Sequence, residues 1–401
     1  MLHQATARLK SGREKHIKKG HPWVFSGAVD EWQGDLHCGA VTDVLDHSGV
    51  WLARGLLHPE SALTIRLCTW NPEQALDADF FALRLDAAIA QRERIFADSI
   101  ARNETNAYRL FFSESDGISG LIVDRYGDAL MVQVGAKALL PYLDGMLEHL
   151  KSETGIGNIV VRVEDDSASR EGIDSAELAA RYKPVQATTR IRENSFLFDV
   201  DLRSGQKTGF FLDQRTNRQR VAAYAKDRRV LSAYCYTGAF EIYAAAAGAK
   251  EVIGIDRSDS ALDQARFHHE LNRTMVPIDY VKADVPEALR KLRDAGRTFD
   301  LIVLDPPRFV STRAQKEKGL RAYKDINLLA MKLLTPGGVL ASFSCSGQIT
   351  TDDFKTMIGW AAIDSGRRVT ILESLSQPPD HPVLAVFPES EYLKGVICWV
   401  V

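Results

Sequence analysis

The sequence predicts an α/β protein whose C-terminal half is a mostly parallel, doubly wound, seven-stranded sheet, preceded by a small β-rich unit and a central α+β unit. Three observations carry this. From about residue 190, the short apolar runs VLSAYCY, EVIGID, IDYVKAD, FDLIVLDPP and GVLASFSCS alternate with helix-like stretches, as a parallel sheet covered on both faces requires. Residues 1–72 instead alternate β-rich runs with turn signals, in HPWVFSGAV, AVTDVLDHSG, VWLARGLLHP and LTIRLCTW. Between them, residues 77–100 space Phe80, Phe81, Leu83, Leu85, Ala88, Ile89 and Ile95 nearer to a 3.6-residue period than to alternation.

Taken in order, the first segment predicts a small barrel or sandwich, and 77–100 a helix leading into a second unit. LFFSESDG and GLIVDRYGDALMVQVG predict strands joined by Gly-centred turns, followed by a helix near 138–152 and a strand at NIVVRVED. Residues 164–190 are polar and weakly periodic, contain Gly172 and Pro184, and are read as a connection. VTILESL and LKGVICWVV, separated by a Pro-rich excursion, add two final strands with an antiparallel turn-back. The expected division is 1–72, 73–188 and 189–401.

Composition narrows the function. The 401 residues are 45% hydrophobic and 26% charged with a net charge of -3, enough for several ordinary cores and too balanced for a uniformly basic nucleic-acid coat. Cys38, Cys68, Cys235, Cys345 and Cys398 have no C-x-x-C spacing and leave an odd thiol, which argues against a structural zinc site and a disulfide framework. The basic N-terminus lacks an apolar signal core, and no run of about 18 apolar residues occurs. A cytoplasmic protein without membrane association is expected.

A cofactor site is expected at the strand ends. Tyr236, Thr237 and Gly238 stand where one strand turns into the helical AFEIYAAAAGA, and Asp256 follows 18 residues after Gly238, a spacing at which a carboxylate meets ribose hydroxyls. Asp284 and Asp305 end the next two strands, the first suited to an adenine amino group and the second placed at the reacting edge. The G-x-G-x-x-G array that cradles a pyrophosphate is missing, which favours an adenosine-containing ligand without phosphates, S-adenosylmethionine being the natural candidate. A plainer reading has Asp256 and Asp284 simply capping the helices that follow.

DPPRF and FSCSG, together with GQKTGFFLDQRTNR at 205–218, resemble the bacterial 23S ribosomal RNA 5-methylcytosine methyltransferase I family. HPWVFSGAV, ESDGISGLIVDRYGD, YKDIN and DHPVLAVFPESEYLKG extend the resemblance along almost the whole chain. It implies a PUA-type RNA-binding domain at the N-terminus and a Rossmann-like, S-adenosylmethionine-dependent class I methyltransferase domain at the C-terminus. It also implies that Cys235–Gly238, Asp256, Asp284, Asp305-Pro306-Pro307 and Ser344-Cys345-Ser346 are the family's motifs, with pocket or roof contacts from Phe210, Asp213, Gln214 and Arg215. Three departures stand out. Ser232 replaces the acid with which many methyltransferases open the first motif; Ser113 and Ser119 stand where relatives often have Gly and Pro; and Arg308 stands where another group of RNA cytosine methyltransferases has a second cysteine.

The chemistry implied is demanding, because cytosine C5 is a poor nucleophile until a thiolate adds to C6. Cys345, at the end of a catalytic-edge strand, is the expected nucleophile, and Asp305 the group that binds N3 and N4 as charge enters the ring. The commoner fate of a cysteine is burial without reaction, and the other four are read that way. Arg8, Lys10, Arg13, Lys15, Lys18 and Lys19 face only Glu14 among the first twenty residues, and with Trp23 and Phe25 nearby they form the expected RNA contact. Alone, such a stretch is more often a solvated face; the resemblance tips the reading towards 23S rRNA, single-stranded or locally opened so that the base is unstacked. The alternatives are an RNA guanine methyltransferase, which needs no covalent nucleophile, and a non-catalytic RNA-binding ribosome-assembly factor.

Overall fold

The computed structural model describes residues 4–203 and 209–401. They fall into two compact units. One comprises the chain up to Ser195 with Asp199–Leu212 and Pro379–Ser390; the other comprises Phe196–Phe198, Asp213–Pro378 and Glu391–Val401.

In the first unit, β1 (Ala5–Leu9), β2 (Trp23–Phe25), β3 (Val29–Gly34), β4 (Val41–Leu45), β5 (Trp51–Leu57) and β6 (Leu63–Thr69) form one six-stranded sheet, ordered β2-β6-β5-β4-β1-β3. Alternation in β1 buries Ala5, Ala7 and Leu9 and turns Thr6 and Arg8 outward, the two-residue period of a half-covered strand. Helix α1 (Ala78–Ala101) starts where the Asp77 side chain accepts from the Phe80 amide and buries Phe80, Phe81, Leu85, Ala88 and Phe96. These pack with a second sheet, β7 (Ala107–Phe112), β8 (Leu121–Tyr126), β9 (Ala129–Val134) and β10 (Asn158–Arg162), ordered β10-β9-β8-β7, in a core that also takes in Val41, Leu56 and Cys68. The short α2 (Ser113–Asp116) and the longer α3 (Leu143–Thr154) complete the layer.

The stretch read from sequence as a connection contains two short helices, α4 (Asp165–Glu171) and α5 (Ser175–Arg181). Gly172 in the left-handed conformation ends the first, and Asp174 caps the second by accepting from Ala176 and Glu177. At seven residues each, they are too short to show a convincing period. β11 (Thr188–Glu193) and β12 (Phe196–Asp201) make a hairpin.

The second unit holds α6 (Arg215–Ala222), β13 (Arg229–Ala233), α7 (Ala239–Ala246), β14 (Glu251–Asp256), α8 (Asp259–Asn272), β15 (Ile278–Lys282), α9 (Val285–Asp294), β16 (Phe299–Leu304), α10 (Lys316–Leu333), β17 (Leu334–Ser344), α11 (Thr351–Ser365), β18 (Val369–Ser376) and β19 (Lys394–Val400). The sheet order is β15-β14-β13-β16-β17-β19-β18. Strands β13 to β17 are parallel, and β19 runs antiparallel between β17 and β18, as the turn-back in the sequence predicts. Their apolar runs are buried: Val230, Leu231, Leu301, Ile302, Val303, Leu340 and Ala341 are essentially inaccessible. β13 pairs with β14 on one side and β16 on the other. The strand order therefore reverses between β13 and β16, the place where an open α/β sheet opens a crevice at its carboxyl edge.

Candidate active site

Two turns flank that crevice. After β13 the backbone passes through positive φ at Tyr234 (65°), Tyr236 (49°) and Gly238 (81°), conformations that cost a tyrosine energy and persist where surrounding bonds enforce them. Those bonds are present: Cys235 N–H donates to the Ile255 carbonyl (3.0 Å), Tyr236 N–H to Asp256 Oδ2 (3.0 Å) and Gly238 N–H to the Cys235 carbonyl (3.0 Å). The Thr237 carbonyl accepts from Nδ1 of buried His268 (2.9 Å), whose Nε2 then accepts from Gln264 (3.0 Å). Gly238 is required twice over. Its φ is left-handed, and a Cβ there would lie 2.5 Å from Tyr280 Oη and 2.9 Å from Ala265 Cβ.

The three strand-end acids divide in role. Asp256 ties the turn after β13 to the turn after β14, Oδ2 on the Tyr236 amide and Oδ1 on the Ser258 amide (2.9 Å). Asp284 is the N-cap of α9, accepting from the Glu287 amide (3.2 Å), so the capping role weighed from sequence is realised at this residue; its Oδ2 has no hydrogen-bond partner among the described residues. Asp305 follows β16 directly and its amide reaches the Ala233 carbonyl (3.4 Å), which holds it at the reversal point.

The turn suits an adenosyl cation better than a dinucleotide. Its amides at 235, 236 and 238 are spent on internal bonds and cannot cradle a pyrophosphate. Behind it, Glu241 Oε1 and Oε2 and Tyr280 Oη are buried without hydrogen-bond partners of good geometry, an uncompensated polar cluster next to the turn.

The second turn follows β17. Leu304 pairs with Ser342, so Cys345 stands about 7 Å of strand rise beyond the point opposite Asp305. Its flanking residues Ser344 and Ser346 are fully buried, whereas Cys345 is half-buried. Ser346 is gripped from three elements. Its Oγ meets Tyr323 Oη of α10 (3.0 Å) and the Val310 amide (3.3 Å), its amide donates to Ser344 Oγ (3.3 Å), and its carbonyl accepts from Lys394 Nζ (2.8 Å). Lys394 also donates to the Ile349 carbonyl (2.6 Å). It is 3% exposed, and burial pushes its pKa down to about 8 while Cys345, Glu391 and Asp353 pull it back up. The result is a rigid backbone carrying a half-buried cysteine beside a buried ammonium.

Sequence reasoning missed Tyr323, Lys394 and Glu241. Signals existed for two of them, since Lys394 is the one charge in the terminal strand and Glu241 the one charge in AFEIYAAAAGA. Of the segment implied by resemblance, residues 205–208 lie outside those described. Asp213, Gln214 and Arg215 are buried in the second unit, with Asp213 Oδ2 accepting from Tyr392 Oη (2.7 Å) and Gln214 Oε1 from Asn217 (2.6 Å). Phe210 belongs to the first unit, where its carbonyl accepts from Tyr126 Oη (3.1 Å).

The N-terminal basic residues split. Arg8 pairs with Glu31, Lys18 with Asp46, and Lys10 donates to the Gly27 carbonyl. Arg13, Lys15 and Lys19 are exposed and in no ion pair among the described residues. Trp23 Nε1 donates to Glu114 Oε1 (2.9 Å) and its ring packs on Phe387 (4.6 Å between centroids), whereas neighbouring Phe25 is 51% exposed. Phe25 is thus the ring with an open face.

A reversed α/β sheet with an adenosyl-type turn on one side and Asp-Pro-Pro on the other defines the class of S-adenosylmethionine-dependent methyltransferases. A family model of that description matches residues 169–393, and one for a PUA-like domain matches residues 7–70. The chain belongs to the ribosomal RNA large subunit methyltransferase I family. It is 41% identical over 399 residues to the member from Tolumonas auensis and 41% identical over 400 residues to that from Cronobacter sakazakii, with 98% of each chain covered in both comparisons. Among solved structures, a Streptococcus mutans chain put forward as a SAM-dependent methyltransferase superposes with a TM-score of 0.82 at 21% identity, covering 98% of this chain and 99% of its own. No helix among the described residues is long and apolar enough to cross a membrane.

Proposed function

We propose that this chain methylates C5 of a cytosine in large-subunit ribosomal RNA through a transient covalent bond between Cys345 Sγ and C6. The single observation that carries the reading is the half-exposed Cys345, held on a rigid turn beside buried Lys394, one strand away from Asp305. The cofactor supplies an electrophilic methyl group on a sulfonium. The chain supplies the rest. Addition of the Cys345 thiolate to C6 makes C5 an enamine-type carbon; once C5 is alkylated, loss of its proton to a base expels the thiolate and restores the aromatic ring.

Asp305, with Pro306 and Pro307 stiffening its loop, accepts from the N4 amino group and, in its protonated form, donates its proton to N3 as C6 attack pushes negative charge into the ring. Tyr236, Thr237, Gly238, Asp256 and Asp284 line the cofactor's side, with Asp213, Gln214 and Arg215 as further pocket contacts. Arg13, Lys15 and Lys19 hold phosphates, with Arg8, Lys10 and Lys18 lending charge behind them, and Phe25 offers the stacking face for which Trp23 is otherwise engaged. The base must leave its stack to reach a thiol, so the acceptor is a single-stranded or locally opened rRNA segment, met in the cytoplasm. The division into 1–72, 73–188 and 189–401 then reads as RNA-binding, central and catalytic parts.

Mass mapping of modified nucleosides in rRNA from cells with and without the gene tests the substrate and product together. Loss of one 5-methylcytidine is expected; loss of a methylguanosine instead would assign the guanine chemistry, and no loss would assign a non-catalytic role.

A further inference from the structure

Helix α7 is buried along all but its last residue: Ala239, Phe240, Ile242, Tyr243, Ala244 and Ala245 are buried, as is the one charged residue among them, Glu241. A carboxylate at 0% exposure in such surroundings is costly when ionised unless it is paired. Neither oxygen of Glu241 has a hydrogen-bond partner of good geometry. The charged and titratable groups around it come from every neighbouring element. Arg218 of α6 and the Ser232 hydroxyl of β13 favour its charged form, and Asp256 of β14 opposes it. Its own charge is felt by Cys235 in the cofactor turn and by Tyr280 of β15, both also facing Arg266 of α8. Burial outweighs the favourable neighbours and pushes the Glu241 pKa up to about 7. It follows Gly238 by three positions, with only Ala239 and Phe240 between, so this carboxylate stands immediately behind the turn that receives the cofactor.

The two ligands that must exchange in that turn differ by one charge. S-adenosylmethionine carries a sulfonium, an ammonium and a carboxylate and is a net cation; S-adenosylhomocysteine has lost the sulfonium and is neutral. In a site of low dielectric, a nearby carboxylate acts on that difference far more strongly than it would in water.

We propose that Glu241 is a specificity-determining residue that selects the methyl-bearing sulfonium over the demethylated product by becoming ionised as the cation binds. Binding of S-adenosylmethionine releases the Glu241 proton; binding of S-adenosylhomocysteine leaves it in place, and the product departs from a site with no charge to hold it. This follows from cofactor use and stands whichever RNA base is methylated.

Isothermal titration of the full chain with each ligand at pH 7, in phosphate and in Tris, reads proton release from the difference in heat between buffers. Wild type should release roughly half a proton more with S-adenosylmethionine than with S-adenosylhomocysteine. Glu241→Gln should abolish that excess and lower the S-adenosylmethionine to S-adenosylhomocysteine affinity ratio about tenfold. Equal weakening of both ligands, or an excess that survives the substitution, overturns the proposal. Should the variant fail to fold, wild type alone decides. The affinity ratio should rise from pH 5.5 to 7.5, since an acid with a raised pKa gains its charge as pH climbs through that value; a flat ratio overturns it.

Discussion

Cys235 and Cys345 each stand just past the carboxyl end of a strand in the same sheet, one after β13 and the other after β17, yet their surroundings are opposite. Cys235 is 8% exposed. Burial pushes its thiol well up, and the Glu241 and Asp256 carboxylates push it further. Cys345 is half-buried, and the buried charge nearest in chain topology is an ammonium, Lys394, across the ladder from Ser344. The difference teaches that strand-end position alone does not make a nucleophile. A thiolate needs access and a neighbouring positive charge, and of these two turns only the second provides both.

The sharpest way to break the contrast is to remove each sulfur. Cys345→Ser should lower turnover by on the order of 10⁴-fold, as loss of a covalent nucleophile does, with S-adenosylmethionine affinity nearly unchanged by titration. Cys235→Ala should stay within about threefold in turnover while losing about 1 kcal/mol of stability to a small cavity. Similar losses of turnover from both would erase the distinction.

Gly238→Ala probes the cofactor turn. A Cβ there meets Ala265 Cβ at 2.9 Å in a left-handed backbone, so a cost of about 2–3 kcal/mol in stability or cofactor affinity is expected. Thermal unfolding with and without S-adenosylmethionine separates the two. An unchanged midpoint under both conditions would mean that the close approach to Tyr280 and Ala265 is easily relaxed.

Lys394→Met tests the charge beside the second sulfur. The lysine keeps its charge up to about pH 8, so its removal takes away a stabiliser of the thiolate throughout the neutral range. Turnover at pH 7 should fall roughly tenfold, with the rise of activity displaced to higher pH. Stability should fall by about 1–3 kcal/mol, because the buried Ser346 and Ile349 carbonyls lose their donor. A pH–activity profile of unchanged position would reduce Lys394 to a clamp on the Ser346 and Ile349 carbonyls.

These two turns also show where the sequence is readable. The continuous apolar runs predicted the parallel sheet because strands covered on both faces cannot alternate, and the same runs put Asp256, Asp284 and Asp305 at strand ends, where the structure has them. Helices α4 and α5 escaped because two turns of helix hold too few apolar positions to set a period. Lys394 and Glu241 escaped for a different reason. Their significance lies in burial produced by tertiary pairing, β19 inserted between β17 and β18 in one case and α7 buried from Ala239 to Ala245 in the other. The bond from Trp23 Nε1 to Glu114, 91 residues away, is a pairing that no local pattern reports, and it leaves the RNA contact expected of Trp23 a matter for the substrate experiments.

Tyr323→Phe gives the smallest and most selective change. It removes only the hydroxyl that meets Ser346 Oγ at 3.0 Å, leaving the ring packed on Phe309 (4.7 Å between centroids) and the Ser346 hydroxyl still bonded to the Val310 amide. One neutral hydrogen bond contributes about 1 kcal/mol, and the turn retains its grips from Lys394 and Val310. Turnover should therefore fall only a few-fold, with cofactor affinity constant, if Tyr323 acts by holding the Cys345 backbone still. A loss approaching that of Cys345→Ser would show instead that the phenol takes part in the chemistry, and the contrast between the two turns would then rest on a hydroxyl as well as on an ammonium.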